Sequence, residues 1–253
     1  MIGFSACIEW LFEAEAPDFA DRIRAAKAAG LQGVEFWRAS NKDLGAIRAA
    51  LDETGLPLLG TVIEEPQQLA DPLTHDAYLQ GVETSLAAAL KLGARGMIVT
   101  TGDELPGVAR TQQHAALVKL LKSAARIVEG SGVVLMLEPL NDRVDHIGYY
   151  LTSTTEGLDI VDEVDRPEVK LVYDIYHSAM MGEETESVIG ERIDRLAHVH
   201  LADTQGRGEP GSGTMDWHSR LDWLYGNGYS GLVGLEYRPT GSTLDSLKFR
   251  DQL

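Results

Sequence analysis

The chain of 253 residues has a single cysteine, Cys7, so it forms no internal disulfide and fits a reducing cytosol. Positive charge is scarce too, with 22 Lys and Arg against 39 Asp and Glu. The resulting net charge of −17 argues against a general nucleic-acid or anionic-membrane surface, because such binding depends on Lys and Arg neutralising phosphate. No apolar run approaches the ~20 residues that span a bilayer. The opening MIGFSACIEW lacks a basic segment followed by a long apolar stretch, so the expectation is no secretory signal and a cytoplasmic setting. Also missing are a Gly-rich dinucleotide fingerprint after the first strand-like run, any low-complexity tract, and a Pro/Ser-rich linker. What is present is a 44% hydrophobic content, enough for a sizeable core, so residues 1–253 read as one domain.

Short β-rich runs alternate with longer helical patterns along the whole chain. The first four runs are GFSACIEW from Gly3, GVEFWR from Gly33, PLLGTVIE from Pro57 and GMIVTTG from Gly96. Four more follow: VVLMLEPLN, VKLVYDIYH, AHVHLAD and GLVGLEYRP. Between them lie amphipathic stretches such as DFADRIRAAKAAG and QQHAALVKLLKSAARIVEG; ETESVIGERIDRL reads as a helix and STLDSLKFRDQL as a weak final one. Gly30, Gly55, Gly93 and Gly130 stand where a helix C-terminus takes a left-handed residue. Parallel strands need crossover connections, so eight such units predict an α/β fold, a closed (β/α)8 TIM barrel, with an open doubly wound sheet as the structural alternative.

The last four runs each carry a ligand-type or acid–base residue toward the C-terminal end: Glu138, Asp174, His200 and Glu236. In a closed parallel barrel those ends meet at one mouth. Strand alternation puts His198 and His200 on one face, Val172 with Asp174, Gly234 with Glu236, and Met136 with Glu138. Taken singly, an Asp at a strand end is commonly a helix cap or ion-pair partner, and an interior His is commonly a hydrogen-bonded core residue. Together, three carboxylates and an imidazole repel one another unless a cation joins them. The oxygen-rich set with one nitrogen suits Mn2+ or Mg2+ better than a structural zinc.

Further residues belong near that mouth. His177, three after Asp174, is placed to hydrogen-bond a substrate oxygen, against a plainer role in fixing its loop. Arg207, in the Gly-rich loop ADTQGRGEPGSGTMDW, is placed to clamp a substrate carboxylate or hydroxyl. His146, in NDRVDHIGYY, lies within reach from the loop after Glu138. Trp10, Trp37 and Phe36 are candidate pocket walls, though packing under a loop is the commoner fate of such aromatics.

The segments LEPLN, YDIYH, HVHLADTQGRGEPGSGTMDW and GLEYRP resemble the hydroxypyruvate isomerase family, within the xylose-isomerase-like TIM-barrel superfamily of sugar isomerases and epimerases. The resemblance covers most of the second half in order and spacing. It implies Glu138, Asp174, His200 and Glu236 as metal ligands, Glu138 and Glu236 as the acid–base pair, and His177 and Arg207 as substrate contacts. Several members carry Gln where this chain has His200, and His is the pattern of the related ketose epimerases. The implied activity is a metal-dependent aldose–ketose isomerisation of a small sugar or hydroxy-keto acid through a cis-enediolate. Rival readings are a ketose 3-epimerase on the same site, a lyase acting on oxidised glycosides, an abasic-site endonuclease, and a non-catalytic sugar-binding barrel. The acidic pI near 4.7 weighs against the endonuclease. The expected partners are a small molecule and, as in many such barrels, further copies of the chain; no nucleic acid and no membrane are expected.

Overall fold

Each βα unit is built from a short apolar strand, a turn and a capped amphipathic helix. The computed structural model describes residues 2–64 and 68–252. The strands are β1 (Phe4–Cys7), β2 (Gly33–Glu35), β3 (Gly60–Val62), β4 (Gly96–Val99), β5 (Val134–Leu137), β6 (Val169–Asp174), β7 (Leu196–Leu201) and β8 (Val233–Leu235). The helices are α1 (Phe19–Ala28), α2 (Leu44–Thr54), α3 (His75–Leu92), α4 (Arg110–Val128), α5 (Thr154–Val164), α6 (Ile175–Met180), α7 (Thr185–Ile189), α8 (Trp217–Gly226) and α9 (Thr243–Ser246). Asp18 starts α1 by accepting from the Ala20 backbone N–H at 2.9 Å, and Asp43 starts α2 by accepting from Gly45 at 2.8 Å. Gly55 and Gly93 end α2 and α3 in the left-handed conformation.

All strand pairs are parallel, in the order β2-β1-β8-β7-β6-β5-β4-β3. The two ends of this sheet meet through a parallel bridge between Val34 and Leu58, with Leu59 N–H donating to the Val34 carbonyl at 2.8 Å and Val62 N–H to the Trp37 carbonyl at 2.8 Å. The result is a TIM barrel, and the open-sheet alternative is set aside. Among the described residues no helix is long and apolar enough to cross a membrane.

Alternation sorts the strand residues as expected. Leu135, Leu137, Leu171, Tyr173, Val199 and Leu235 belong to the large core between strands and helices, each fully buried apolar side chain contributing roughly 1.5–3 kcal/mol. A smaller cluster of Ile98, Met136 and Val172 fills the barrel interior. Gly60 and Gly96 make room for Met136 there, since a Cβ on either would lie under 3 Å from its Cε, at 2.9 and 2.7 Å. Above this plug, at the C-terminal ends, the interior becomes polar.

Two helical expectations shift. ETESVIGERIDRL splits into α7 and a 3-10 turn, Ile193–Arg195, because Gly190 takes a positive φ of 55° after Ile189. The final stretch is α9 followed by a 3-10 turn, Leu247–Gln252; its last residue lies outside the described residues.

Candidate active site

Four interior positions bring Glu138, Asp174, His200 and Glu236 together. Glu138 directly follows β5, Asp174 ends β6, His200 lies in β7 and Glu236 directly follows β8. One ligand atom from each lies within 4.8 Å of the others, and all four side chains are buried. A register shift between β6 and β7 is part of this arrangement. Leu171 pairs with Leu196 but Val172 pairs with His198, so the extra β7 residue brings His200 beside Asp174. A bulge that re-aims side chains is a recurrent device near active sites.

Asp174 performs two jobs at once. Its Oδ1 caps α6, accepting from Tyr176 N–H at 2.7 Å and His177 N–H at 3.2 Å, while Oδ2 faces the cluster. The helix-cap role is therefore observed at Oδ1, and Oδ2 is left facing the other three side chains. Glu236 accepts from the indole Nε1–H of Trp37 at 2.7 Å and ion-pairs with Arg207 through its other oxygen. Trp37 is steadied by its backbone N–H to Glu9, at 3.1 Å, and by edge-on packing against Trp10.

Arg207 carries the loop's positive charge into the cluster. Its guanidinium lies 5.2 Å from the Trp10 ring centre and 5.0 Å from that of Tyr176, and it reaches Asp174 Oδ2 at 3.3 Å. Its backbone has a φ of 53°, an uncommon conformation for a residue with a side chain, and its carbonyl accepts from Arg238 N–H at 2.9 Å. Its Nε–H is buried without a hydrogen-bond partner among the described residues, leaving a donor for a bound oxygen.

His177 accepts at Nδ1 from the backbone and side-chain amides of Asn141, at 3.0 and 2.7 Å. The hydrogen must then sit on Nε2, which is buried with no hydrogen-bond partner among the described residues and lies 3.6 Å from Asp174 Oδ2. Burial, reinforced by the Arg207 charge, holds this ring well below its ordinary pKa, so it is a neutral donor. His146 lines the same cavity, its ring centre 5.7 Å from that of His177. The cavity, of about 820 Å³, is also lined by Trp10, Trp37, Glu138, Glu236 and Arg207. Phe36 is the exception among the expected wall residues. It points outward, packs edge-on against Phe19 and lies under the Lys42 amine, because alternation turns it away from its inward neighbours Glu35 and Trp37.

Glu35, which meets His200 at its other ring nitrogen, is a neighbour of the cluster that the sequence pattern did not single out. Its Oε2 lies 2.9 Å from His198 Nε2 and 3.1 Å from His200 Nε2. Burial alone would raise its pKa, but the two imidazoles overcome that and hold it well below the usual carboxylate range. Glu138 behaves oppositely. Burial, with the Glu236 and Asp174 charges adding to it and His200 opposing, pushes its carboxyl up to about 7. Its Oε1 lies 3.1 Å from His200 Nδ1.

This crowding tests whether a divalent ion fits. Four buried ligand atoms converge, Arg207 pairs with two of the three carboxylates, and the donors are three oxygens and one nitrogen, a set suited to a hard dication. The residues fit. A carboxyl raised in the fold above its ordinary value of 4.5 stabilises the metal-free protein below that value, and the contribution is lost as pH rises through 7. A cation takes the place of the proton, so the rise in Tm on adding Mn2+ should be larger at about pH 8 than at about pH 5.5. Thermal melts with and without Mn2+ check this, and equal shifts at both pH values would count against Glu138 as a ligand.

A parallel eight-stranded barrel with its polar residues at the strand C-termini defines a class, and residues 23–253 match the family described as xylose isomerase-like TIM barrel; the chain belongs to that family. Within it the chain is 30% identical to the hydroxypyruvate isomerase of Escherichia coli, over 99% of each chain. It is 28% identical to the 2-oxo-tetronate isomerase of Haemophilus influenzae, over 98% of this chain and 97% of that one. A crystal structure from Brucella melitensis, described as an AP endonuclease of family 2, superposes with a TM-score of 0.91 at 27% identity, covering 100% of this chain and 99% of that one.

Proposed function

We propose that this protein is a metal-dependent isomerase of a small hydroxy-keto acid, of the hydroxypyruvate type. The observation that carries it is the convergence of Glu138, Asp174, His200 and Glu236 at the barrel mouth, with two glutamates among them. Relatives named as isomerases of hydroxypyruvate and of 2-oxo-tetronate support the same reading.

Glu138, Asp174, His200 and Glu236 would hold the ion, which supplies positive charge against the oxyanion that develops as the substrate loses a proton. The residues of the chain do the rest. Arg207 and the Nε2–H of His177 hold substrate oxygens, and Trp10 and Trp37 shield the site from water. One of the two glutamates takes the C–H proton from the hydroxyl-bearing carbon, leaving a cis-enediolate. That proton is then delivered to the neighbouring carbon while a hydroxyl proton passes to the former carbonyl oxygen, so the carbonyl moves by one position with no net redox change. If the second glutamate, itself protonated, instead gives its own proton to the original carbon from the opposite face while the first keeps the one it took, that carbon is epimerised, which keeps a ketose 3-epimerase as the second reading.

A substrate carboxylate has a matching cation above the site. Arg238, an exposed residue two positions after Glu236 in the segment following β8, lines the cavity, lies 4.5 Å over Trp10 and has no carboxylate partner among the described residues. Arg238→Ala should raise KM for an acid substrate about tenfold or more with a smaller change in kcat, a charge-assisted hydrogen bond being worth roughly 1.5–3 kcal/mol. Equal KM values for the two proteins in steady-state kinetics would remove that role.

The function itself is tested by incubating Mn2+-loaded protein in D2O with hydroxypyruvate, 2-oxo-tetronates and small ketoses. Isomerised acid carrying solvent deuterium is the expected product. An epimerised ketose supports the second reading, bond cleavage supports a lyase, and binding without exchange supports a carrier. Nicking of an abasic duplex, the activity suggested by the name of the Brucella melitensis protein, is expected to be absent given the net charge of −17.

A further inference from the structure

We propose that Glu35 is a positioning residue for His200, keeping the hydrogen on its Nε2 so that Nδ1 faces the ion site as a bare ligand atom. The proposal rests on the reading of Glu138, Asp174, His200 and Glu236 as a cation site. On the cluster side, His200 Nδ1 lies 3.1 Å from Glu138 Oε1 and 3.5 Å from Glu236 Oε2. Those two carboxylates would draw a hydrogen onto Nδ1 and so block the ligating lone pair. Glu35 pulls from the opposite side of the ring, its Oε2 3.1 Å from Nε2. A carboxylate that fixes the tautomer and rotation of a ligating imidazole is a general device of metal sites.

The surroundings hold Glu35 in that pose. His198 Nε2–H donates to the same oxygen at 2.9 Å, and the two rings stand perpendicular with centres 4.9 Å apart. All three side chains are buried. Space for the carboxylate comes from Gly234 on β8, where a Cβ would lie 2.2 Å from Glu35 Oε1, 2.6 Å from His198 Nε2 and 2.8 Å from His200 Cδ2. Glu35, His198 and His200 also offer ligand atoms close to one another, but both imidazoles meet a single carboxylate oxygen at hydrogen-bond distance. That geometry is a hydrogen-bonded support for one ion site rather than a second ion site.

The test is Mn2+ titration by calorimetry on metal-stripped wild type, Glu35→Gln, His200→Gln and the double variant, with nitrogen NMR of the Mg2+-loaded wild type. Glu35→Gln should weaken Mn2+ binding about 10- to 100-fold. In the His200→Gln background the same change should matter less than about twofold, because the residue through which Glu35 acts is gone. The NMR spectrum should show His200 with hydrogen on Nε2 only. Unchanged affinity in Glu35→Gln, an equal loss in both backgrounds, or hydrogen on Nδ1 overturns the proposal. The NMR result stands even if Glu35→Gln does not fold. Failure of wild type to bind Mn2+ at all overturns the underlying cation-site reading, an outcome distinct from the others.

Discussion

Glu236→Gln should lower kcat by at least about 10³-fold while leaving the barrel folded, and Glu138→Gln should do the same. A positioned general base alone is worth roughly 10²–10⁴-fold, and in the proposed site each of these side chains would also give the ion a ligand oxygen, so two losses would fall on one residue. The fold should survive because Gln has nearly the same shape and the site adds little to the core. At position 236 the Trp37 indole can still donate to the amide oxygen, and Arg207 keeps Asp174 at 3.3 Å. At position 138 the change removes a carboxyl whose charged form burial disfavours. The metal-free Tm of either variant should therefore stay within about 4 °C of wild type, the shift that roughly 1 kcal/mol produces in a domain of this size. Steady-state kinetics with circular dichroism melts check both halves. Near-normal turnover in either variant would remove that glutamate from proton transfer.

Stripping the protein with a chelator should abolish activity, and Mn2+ or Mg2+ should restore it. The loss should be near total, since without the ion the charge developing on the substrate meets a mouth holding Glu138, Asp174 and Glu236. Arg207 lies against Asp174 and Glu236 and cannot supply the same compensation. Binding should also register in stability. At a free ion concentration 100 times Kd, linkage gives about 2.7 kcal/mol, or a Tm rise of roughly 5–10 °C for a chain of this length. Full activity in exhaustively metal-free protein would overturn the metal-dependent reading even with the cluster intact.

The four-residue cluster was legible because its signal is local. Each residue stands in or just after an apolar strand, and a period of two settles which way it points. Glu138, Asp174, His200 and Glu236 needed only that rule and the convergence of parallel strand ends. The β6–β7 register shift was not legible, because apolar and ligand-type residues alternate in AHVHLAD whichever residue begins the pairing. Glu35 was legible in principle: it is the lone carboxylate within the apolar part of GVEFWR, and the alternation applied to β7 would have turned it inward. The same rule would have turned Phe36 outward. Trp37 is different, since its hydrogen bond joins residues 199 positions apart and only the closed barrel brings them together. Arg207 was found by its loop and charge, but its left-handed backbone and its pairing with Asp174 depend on tertiary contacts. The short helices were the weakest reading, because Gly190 interrupts a stretch whose polar pattern otherwise continues.

The most direct measurement is anomalous diffraction from crystals soaked in Mn2+. One strong peak is expected at the barrel mouth, bound by oxygens of Glu138, Asp174 and Glu236 and by Nδ1 of His200, with Arg207 drawn back from Glu236. A peak between Glu35 and His198, or none in that mouth at saturating Mn2+, would contradict it.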